Sequence, residues 1–215
     1  LFGARLGKLA HSVFERLFDK DFDFETVFEK ERKKFEWKIG EDLLVNRLKE
    51  DIKDACEACL LHFKNYATNP SIKTEQYLQA YIAPHTKLIG FADKIFVLDD
   101  SDVIVVDYKT NDDSFDKNQI QYGLSMQLPT YAYLLSQNKD FCDYRVVGLY
   151  INNVINKNYS YDKQDDDIIN DNLKLNGMTL SDIEAVRKID KIGQIYNKKE
   201  HNYCVANPMF GKEKL

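Results

Sequence analysis

The chain has 215 residues, enough for one domain with a sizeable core and few for two. Apolar residues make up 44% and aromatic residues 13%, which excludes a disordered tail, and no apolar run approaches a membrane span. The net charge of −5 argues against a nucleic-acid partner, because phosphate binding normally wants a basic surface, an objection that weakens for an enzyme gathering carboxylates around a divalent cation.

Along the chain, Leu6, Leu9, Ala10, Val13, Phe14 and Leu17 recur at helical spacing, predicting a helix from Leu6 to Phe18. A second helix is predicted from Glu41 to Asn65. Its Leu44, Leu48, Ile52, Ala55, Cys59 and Phe63 form an apolar stripe. Cys56 and Cys59 make one CxxC inside that stripe. No second CxxC follows, so both read as buried helix residues rather than metal ligands.

After Pro70 the period changes. Strands are predicted at Ile72–Ile82, Leu88–Leu98 and Val103–Lys109, the last two joined by the turn Asp99-Asp100-Ser101-Asp102. The consecutive apolar run Val103–Val106 predicts a strand covered on both faces. A helix follows from about Leu124 to Gln137. Pro129 is tolerable only in its first turn, which puts the start near Met126. A strand near Tyr144–Ile151 comes next. Beyond Ile155, Lys163–Asp171 reads as a surface loop and Thr179–Lys191 as a short helix.

The order α, β, β, β, α, β predicts an α/β sandwich with a mixed central sheet flanked by helices. With no repeat and no Pro/Gly/Ser linker, residues 1–215 are expected to form a single domain. Its core covers about residues 5–151, and about 156–215 form a peripheral extension. The chain opens on Leu1 rather than Met, which reads as a piece of a longer protein. Few cysteines, no disulfide framework and no signal-peptide pattern give a cytoplasmic expectation, away from membranes.

The chemistry concentrates in the second predicted hairpin. If Asp99–Ser101 make the turn, Leu98 pairs with Asp102, and counting back sets Asp93 opposite Asp107. Lys109, two residues beyond Asp107, shares its face. Opposed carboxylates destabilise a sheet unless something compensates them. A Mg²⁺ or Mn²⁺ ion does so, and a lysine beside it can hold a phosphate. Taken alone, Asp and Lys at i, i+2 are more often a solvated pair at a strand end. Here the pair follows an apolar strand and has a matching Asp on the preceding one. Glu75, on the strand before the hairpin, is a minor further candidate.

The segments Gly90-Phe91-Ala92-Asp93-Lys94-Ile95 and Val105-Val106-Asp107-Tyr108-Lys109-Thr110 resemble the core motif of RecB-family nucleases in the PD-(D/E)XK superfamily. The resemblance implies that Asp93 is the first metal carboxylate, and Asp107 and Lys109 the acid and lysine of the D-x-K element. Gly7-Lys8-Leu9-Ala10-His11 is similar to the family's helix bearing a metal-ligating histidine, which implies that role for His11. Gln127-Leu128-Pro129-Thr130-Tyr131 is similar to its Q-x-x-x-Y element. On spacing alone Gln127 and Tyr131 are an interior helix pair, whereas the resemblance implies contact with DNA or with the active-site lysine.

The likeness covers about residues 5–150 and, more weakly, Leu175-Asn176-Gly177-Met178, where it points to AddB/RexB-type subunits of bacterial helicase–nucleases. It implies an Mg²⁺-dependent DNA exonuclease of recombination or repair, with Mn²⁺ able to substitute and a helicase subunit or fused helicase domain as partner. Such subunits commonly carry an iron–sulfur cluster, but no matching cysteine triplet follows the core, and none is expected here. A stand-alone phage-type or CRISPR-associated exonuclease, and an inactive domain that binds DNA or a partner, are the alternatives.

Overall fold

The computed structural model describes residues 2–66, 69–99, 101–110, 116–155, 175–180, 182–189 and 206–207. The N-terminal apolar stripe folds as α1 (Phe2–Arg16) and buries Leu6, Leu9, Ala10, Val13 and Phe14. A short helix, α2 (Phe24–Arg32), follows, and the long predicted helix is α3 (Ile39–Asn65). Next come β1 (Ser71–Ala83), β2 (Thr86–Val97) and β3 (Asp102–Lys109). Two helices, α4 (Lys117–Ile120) and α5 (Gln127–Gln137), precede β4 (Arg145–Asn153). The remaining described elements are β5 (Leu175–Thr179), α6 (Ile183–Ile189) and β6 (Ala206–Asn207).

The strands form one sheet in the order β1-β2-β3-β4-β5-β6. β1, β2 and β3 make an antiparallel meander. Backbone bonds run from Arg145 N to Ser101 O and from Val154 N to Lys109 O. They tie start to start and end to end, so β3 and β4 run parallel, with α4 and α5 in the crossover. β4–β5 is antiparallel and β5–β6 parallel, which makes the sheet mixed. The α/β architecture is the one anticipated, and Val103, Ile104, Val105 and Val106 are all buried as the apolar run requires.

The chain divides into two compact units. The first comprises Leu1–Lys64, Tyr108–Asp113 and Asn153–Leu173. Its core is the inner stripe of α1 with Phe28 of α2 and Val45, Ile52, Ala55, Cys56 and Cys59 of α3. Tyr108 joins this core: its ring centroid lies 4.5 Å from that of Phe14, and its hydroxyl 3.8 Å from Cys59 Sγ. The CxxC cysteines are thus buried helix residues. The second unit comprises Asn65–Asp107, Ser114–Asn152 and Lys174–Leu215. There Leu128, Tyr131, Leu134 and Leu135 of α5 pack on Leu78, Ala92, Ile95, Val103, Val105, Leu149 and Ile151 of the sheet.

Several elements differ from the sequence expectation, β6 among them. Thr179 ends a strand instead of starting a helix, because the segment around Gly177 pairs with β4; the helix covers only Ile183–Ile189. Both α2 and α4 went unpredicted. Each is announced by an Asp whose carboxylate caps the first turn: Asp23 accepts from Thr26 N at 2.9 Å and Asp116 from Asn118 N at 2.8 Å. The predicted loop Lys163–Asp171 lies outside the described residues.

Candidate active site

The β2–β3 register carries the geometry. Val97 pairs with Val103, Phe96 with Ile104, Ile95 with Val105 and Lys94 with Val106. Leu98 N donates to Asp102 O at 2.9 Å, closing the turn as anticipated. Asp93 and Asp107 each lie one residue beyond the last pair of this register, Lys94 and Val106. Both are buried, Asp107 almost completely.

A buried carboxylate needs donors, and α5 supplies them. Gln127 Nε2 donates to Asp107 Oδ1 at 2.7 Å and to the Tyr131 hydroxyl at 2.9 Å. The Tyr131 hydroxyl donates to Phe91 O at 2.8 Å and sits 3.4 Å from Asp107 Oδ1. Burial pushes the Tyr131 phenol well above its ordinary range. The Gln127 hydrogen bond opposes that rise, and the Asp107 and Asp93 charges add to it. Its hydroxyl is thus held as a donor beside two acids.

The helix geometry explains why these two residues meet one carboxylate. Gln127 and Tyr131 are one turn apart at i, i+4, at the start of α5. Pro129 sits in that first turn, where its missing N–H costs no helical bond. Gly90 lets the helix come close: a Cβ there would lie 3.0 Å from Leu134 Cδ1 and 3.2 Å from Tyr131 Cε1.

On the other side of β2, Glu75 of β1 has a φ of 46°, in the left-handed region that non-glycine residues seldom adopt. It lies between the pairs Thr74↔Lys94 and Gln76↔Ala92, and so opposite Asp93. Carboxylate oxygens of Glu75 and Asp93 approach within 4.8 Å. Strict alternation breaks here: Ala92 and Ile95, three residues apart, belong to the same apolar cluster. Lys109, half-buried at the end of β3, follows Asp107 by two residues, and Tyr108 between them faces the α1 core.

His11 belongs to the first unit. It is half-buried on α1, with its ring edge-on to Tyr108 at 6.3 Å between centroids. It lines an open groove of about 460 Å³ with Ala4, Gly7, Lys8, Ser12 and Phe35.

A family model of the PD-(D/E)XK nuclease superfamily matches residues 2–201. The chain belongs to that superfamily. In this PD-(D/E)XK chain, the sequence had marked Asp93, Asp107, Lys109, His11, Gln127 and Tyr131. The structure brings Gln127 and Tyr131 to Asp107, a contact that i, i+4 spacing alone could not assign. It also buries Lys94 completely, a residue the sequence reading passed over because lysine is seldom found inside. Among the described residues, no helix is long and apolar enough to cross a membrane.

Proposed function

We propose that this PD-(D/E)XK domain hydrolyses DNA phosphodiester bonds with Mg²⁺, Mn²⁺ substituting, as an exonuclease module in recombination or repair. The proposal includes a helicase subunit or fused helicase domain as partner and a cytoplasmic setting. The observation that supports the chemistry best is the pair of buried carboxylates Asp93 and Asp107 on the neighbouring strands β2 and β3, with α5 donors fixed on Asp107.

Oxygen donors from acidic side chains suit Mg²⁺ and Mn²⁺, and burying two acids on neighbouring strands is costly without a cation. Asp93 and Asp107 would hold it with His11, and Glu75 is a further acid close to Asp93. Such an ion, when bound, supplies Lewis-acid charge at the scissile phosphate and acidifies water. Lys109 contributes a positive charge at the end of β3, where it would orient the attacking water and offset charge gathering on the phosphate. Gln127 and Tyr131 keep the Asp107 carboxylate in one orientation; we assign them a positioning role as well as the substrate contact implied by the family resemblance.

The test is cleavage of linear and circular DNA with Mg²⁺ or Mn²⁺ by the wild type, Asp107→Asn and Lys109→Ala. Degradation of the linear form alone, lost by at least about 100-fold in either variant, is the expected result. DNA left intact by the wild type with both metals overturns the proposal; digestion of circles removes its exonuclease part.

A further inference from the structure

The groove beside His11 has a composition that the hydrolytic chemistry does not use. Ala4, Gly7, Lys8 and His11 recur at i, i+3, i+4 and i+7, so they form one face of α1. The opposite stripe of the helix is its buried face. Ala4 and Gly7 are small and leave room above the helix. A Cβ on Gly7 would meet only Thr110 Oγ1 at an ordinary 3.6 Å, so close backbone packing is not what calls for glycine there. The far wall is Phe35, from the segment between α2 and α3. Phe35 belongs to an aromatic array, with its ring centroid 5.6 Å from that of Trp37, and Trp37 lies 6.1 Å from Phe2. Arg5 covers Trp37 at 5.6 Å and is itself held by Glu41 at 2.6 Å, so the array is braced.

Charge decides what such a groove takes. The chain as a whole is acidic, yet from Lys30 to Lys38 five residues are basic (Lys30, Arg32, Lys33, Lys34, Lys38) and two acidic (Glu31, Glu36). Arg32 is taken by Asp42 at 2.5 Å and Lys34 by Glu31 at 2.5 Å. Lys8, on the groove, and Lys33, two residues before Phe35, are exposed, and neither has an ion-pair partner among the described residues. An aromatic wall with exposed lysines beside it fits a polyanion carrying flat apolar faces. An acidic peptide would use the lysines but leave the ring idle, and an apolar peptide the reverse. In a duplex the base faces are stacked on one another, so Phe35 has nothing to stack upon.

We infer that the α1–Phe35 groove binds an unpaired nucleotide of a single DNA strand, its base stacked on Phe35 and its phosphate on Lys8. The inference rests on the nuclease reading and deepens it. His11 lines the same groove, so a strand seated there lies against a residue assigned to the metal. Single-stranded DNA, or a frayed end, is then the form the domain engages.

The test uses the whole 215-residue chain with a labelled oligothymidylate and a duplex of equal length, in Ca²⁺ or EDTA so that nothing is cut. Trp37, the only tryptophan, reports through its fluorescence without a label. The wild type is expected to bind the single strand more tightly than the duplex. Phe35→Ala should weaken that binding by about 5- to 150-fold, the range for one lost stacking contact, and Phe35→Tyr should restore it. Lys8→Gln alters an exposed side chain and so folds; it should lower the salt slope of single-strand binding by about 0.7. Equal affinity for duplex and single strand, or unchanged binding in both Phe35→Ala and Lys8→Gln, overturns the inference. Binding of an acidic peptide in preference to the oligonucleotide overturns it too. Single-strand binding by Phe35 and Lys8 without cleavage in Mg²⁺ or Mn²⁺ would sink the nuclease reading and leave the groove assignment standing. Cleavage with single-strand binding unchanged in both Phe35→Ala and Lys8→Gln would do the reverse.

Discussion

Replacing Gln127 tests how the candidate site is held. Its amide makes a 2.7 Å bond to a carboxylate with about 1% exposure. Hydrogen bonds to charged groups contribute about 1.5–3 kcal/mol. Gln127→Leu should therefore cost about 2 kcal/mol, which lowers Tm by about 4–8 °C for a chain of this size. Gln127→Glu keeps the shape but sets a second carboxylate against Asp107. Two such groups cannot both ionise at that separation, so the pair retains a proton to a pH above the unfolded carboxyl pKa of about 4.3. Between those two values the folded state binds more protons than the unfolded one, so stability falls as pH rises through the window. Each pH unit of that window costs about 1.4 kcal/mol.

Thermal unfolding followed by circular dichroism from about pH 4.5 to about pH 8 separates the two variants. The Gln127→Leu deficit should stay nearly constant across the range. The Gln127→Glu deficit should be small at the acid end and widen towards pH 8, and Mn²⁺ should narrow it. If Gln127→Glu runs parallel to the wild type at every pH, the Gln127–Asp107 contact does not hold the site.

The turn end of the hairpin makes its own predictions. Burial would raise the Asp99 carboxyl, but hydrogen bonds from Lys188, Ser101 and Asp102 outweigh it and hold it at about 2. Its contribution is therefore present above the unfolded pKa of about 3.9 and lost as pH falls towards about 2. Lys188→Ala should cost about 1–2 kcal/mol near neutrality, allowing for solvent screening, with the gap closing in acid; urea titrations at several pH values measure it. Arg145→Met leaves the fully buried Asp102 with Lys188 as a cation partner, and a lower unfolding midpoint in the same titrations is expected. Gly177→Ala would drive a Cβ to 1.9 Å from Leu149 O, so β5 must shift off β4. A loss of at least about 2 kcal/mol, with faster amide exchange at the β4–β5 pairs, is the outcome to look for.

Much of the fold was legible because its pattern is local. The α1 stripe and the antiparallel strands carry their periodicity in side-chain type. The Asp99–Ser101 turn gave the correct β2–β3 register because a polar cluster between two apolar runs leaves few alternatives. The helix α2 was hidden by its polarity, since Phe28 is its one buried apolar residue. β5 was hidden by Asn176 and Gly177, residues uncommon in strands. At the candidate site, the sequence placed Asp93, Asp107 and Lys109 on one hairpin, and they lie on β2 and β3. It could not reveal that α5 crosses near enough for Gln127 to reach Asp107, a fact set by Gly90 and by core packing. Nor could periodicity foresee the left-handed Glu75, because that conformation breaks the alternation on which the reading of the strands depends.

The register of this hairpin depends on a turn at its opposite end. Asp99 Oδ1 accepts from Ser101 N at 2.9 Å, Ser101 Oγ at 3.0 Å and Asp102 N at 2.9 Å, so the turn is wound around one carboxylate oxygen. Lys188 of α6 binds both Asp99 and Asp102, and Arg145 at the start of β4 binds Asp102 at 2.8 Å. A strand pair that slips by one residue turns every side chain to the other face. A slip at Asp99 would thus carry Asp107 away from Gln127 and out of line with Asp93. Leu98 N to Asp102 O is the bond that starts the count, and the clamped turn keeps that bond in place. The ion pairs around Asp102 need not add much net stability to matter: fastened at the turn, they oppose a slip of the β2–β3 register.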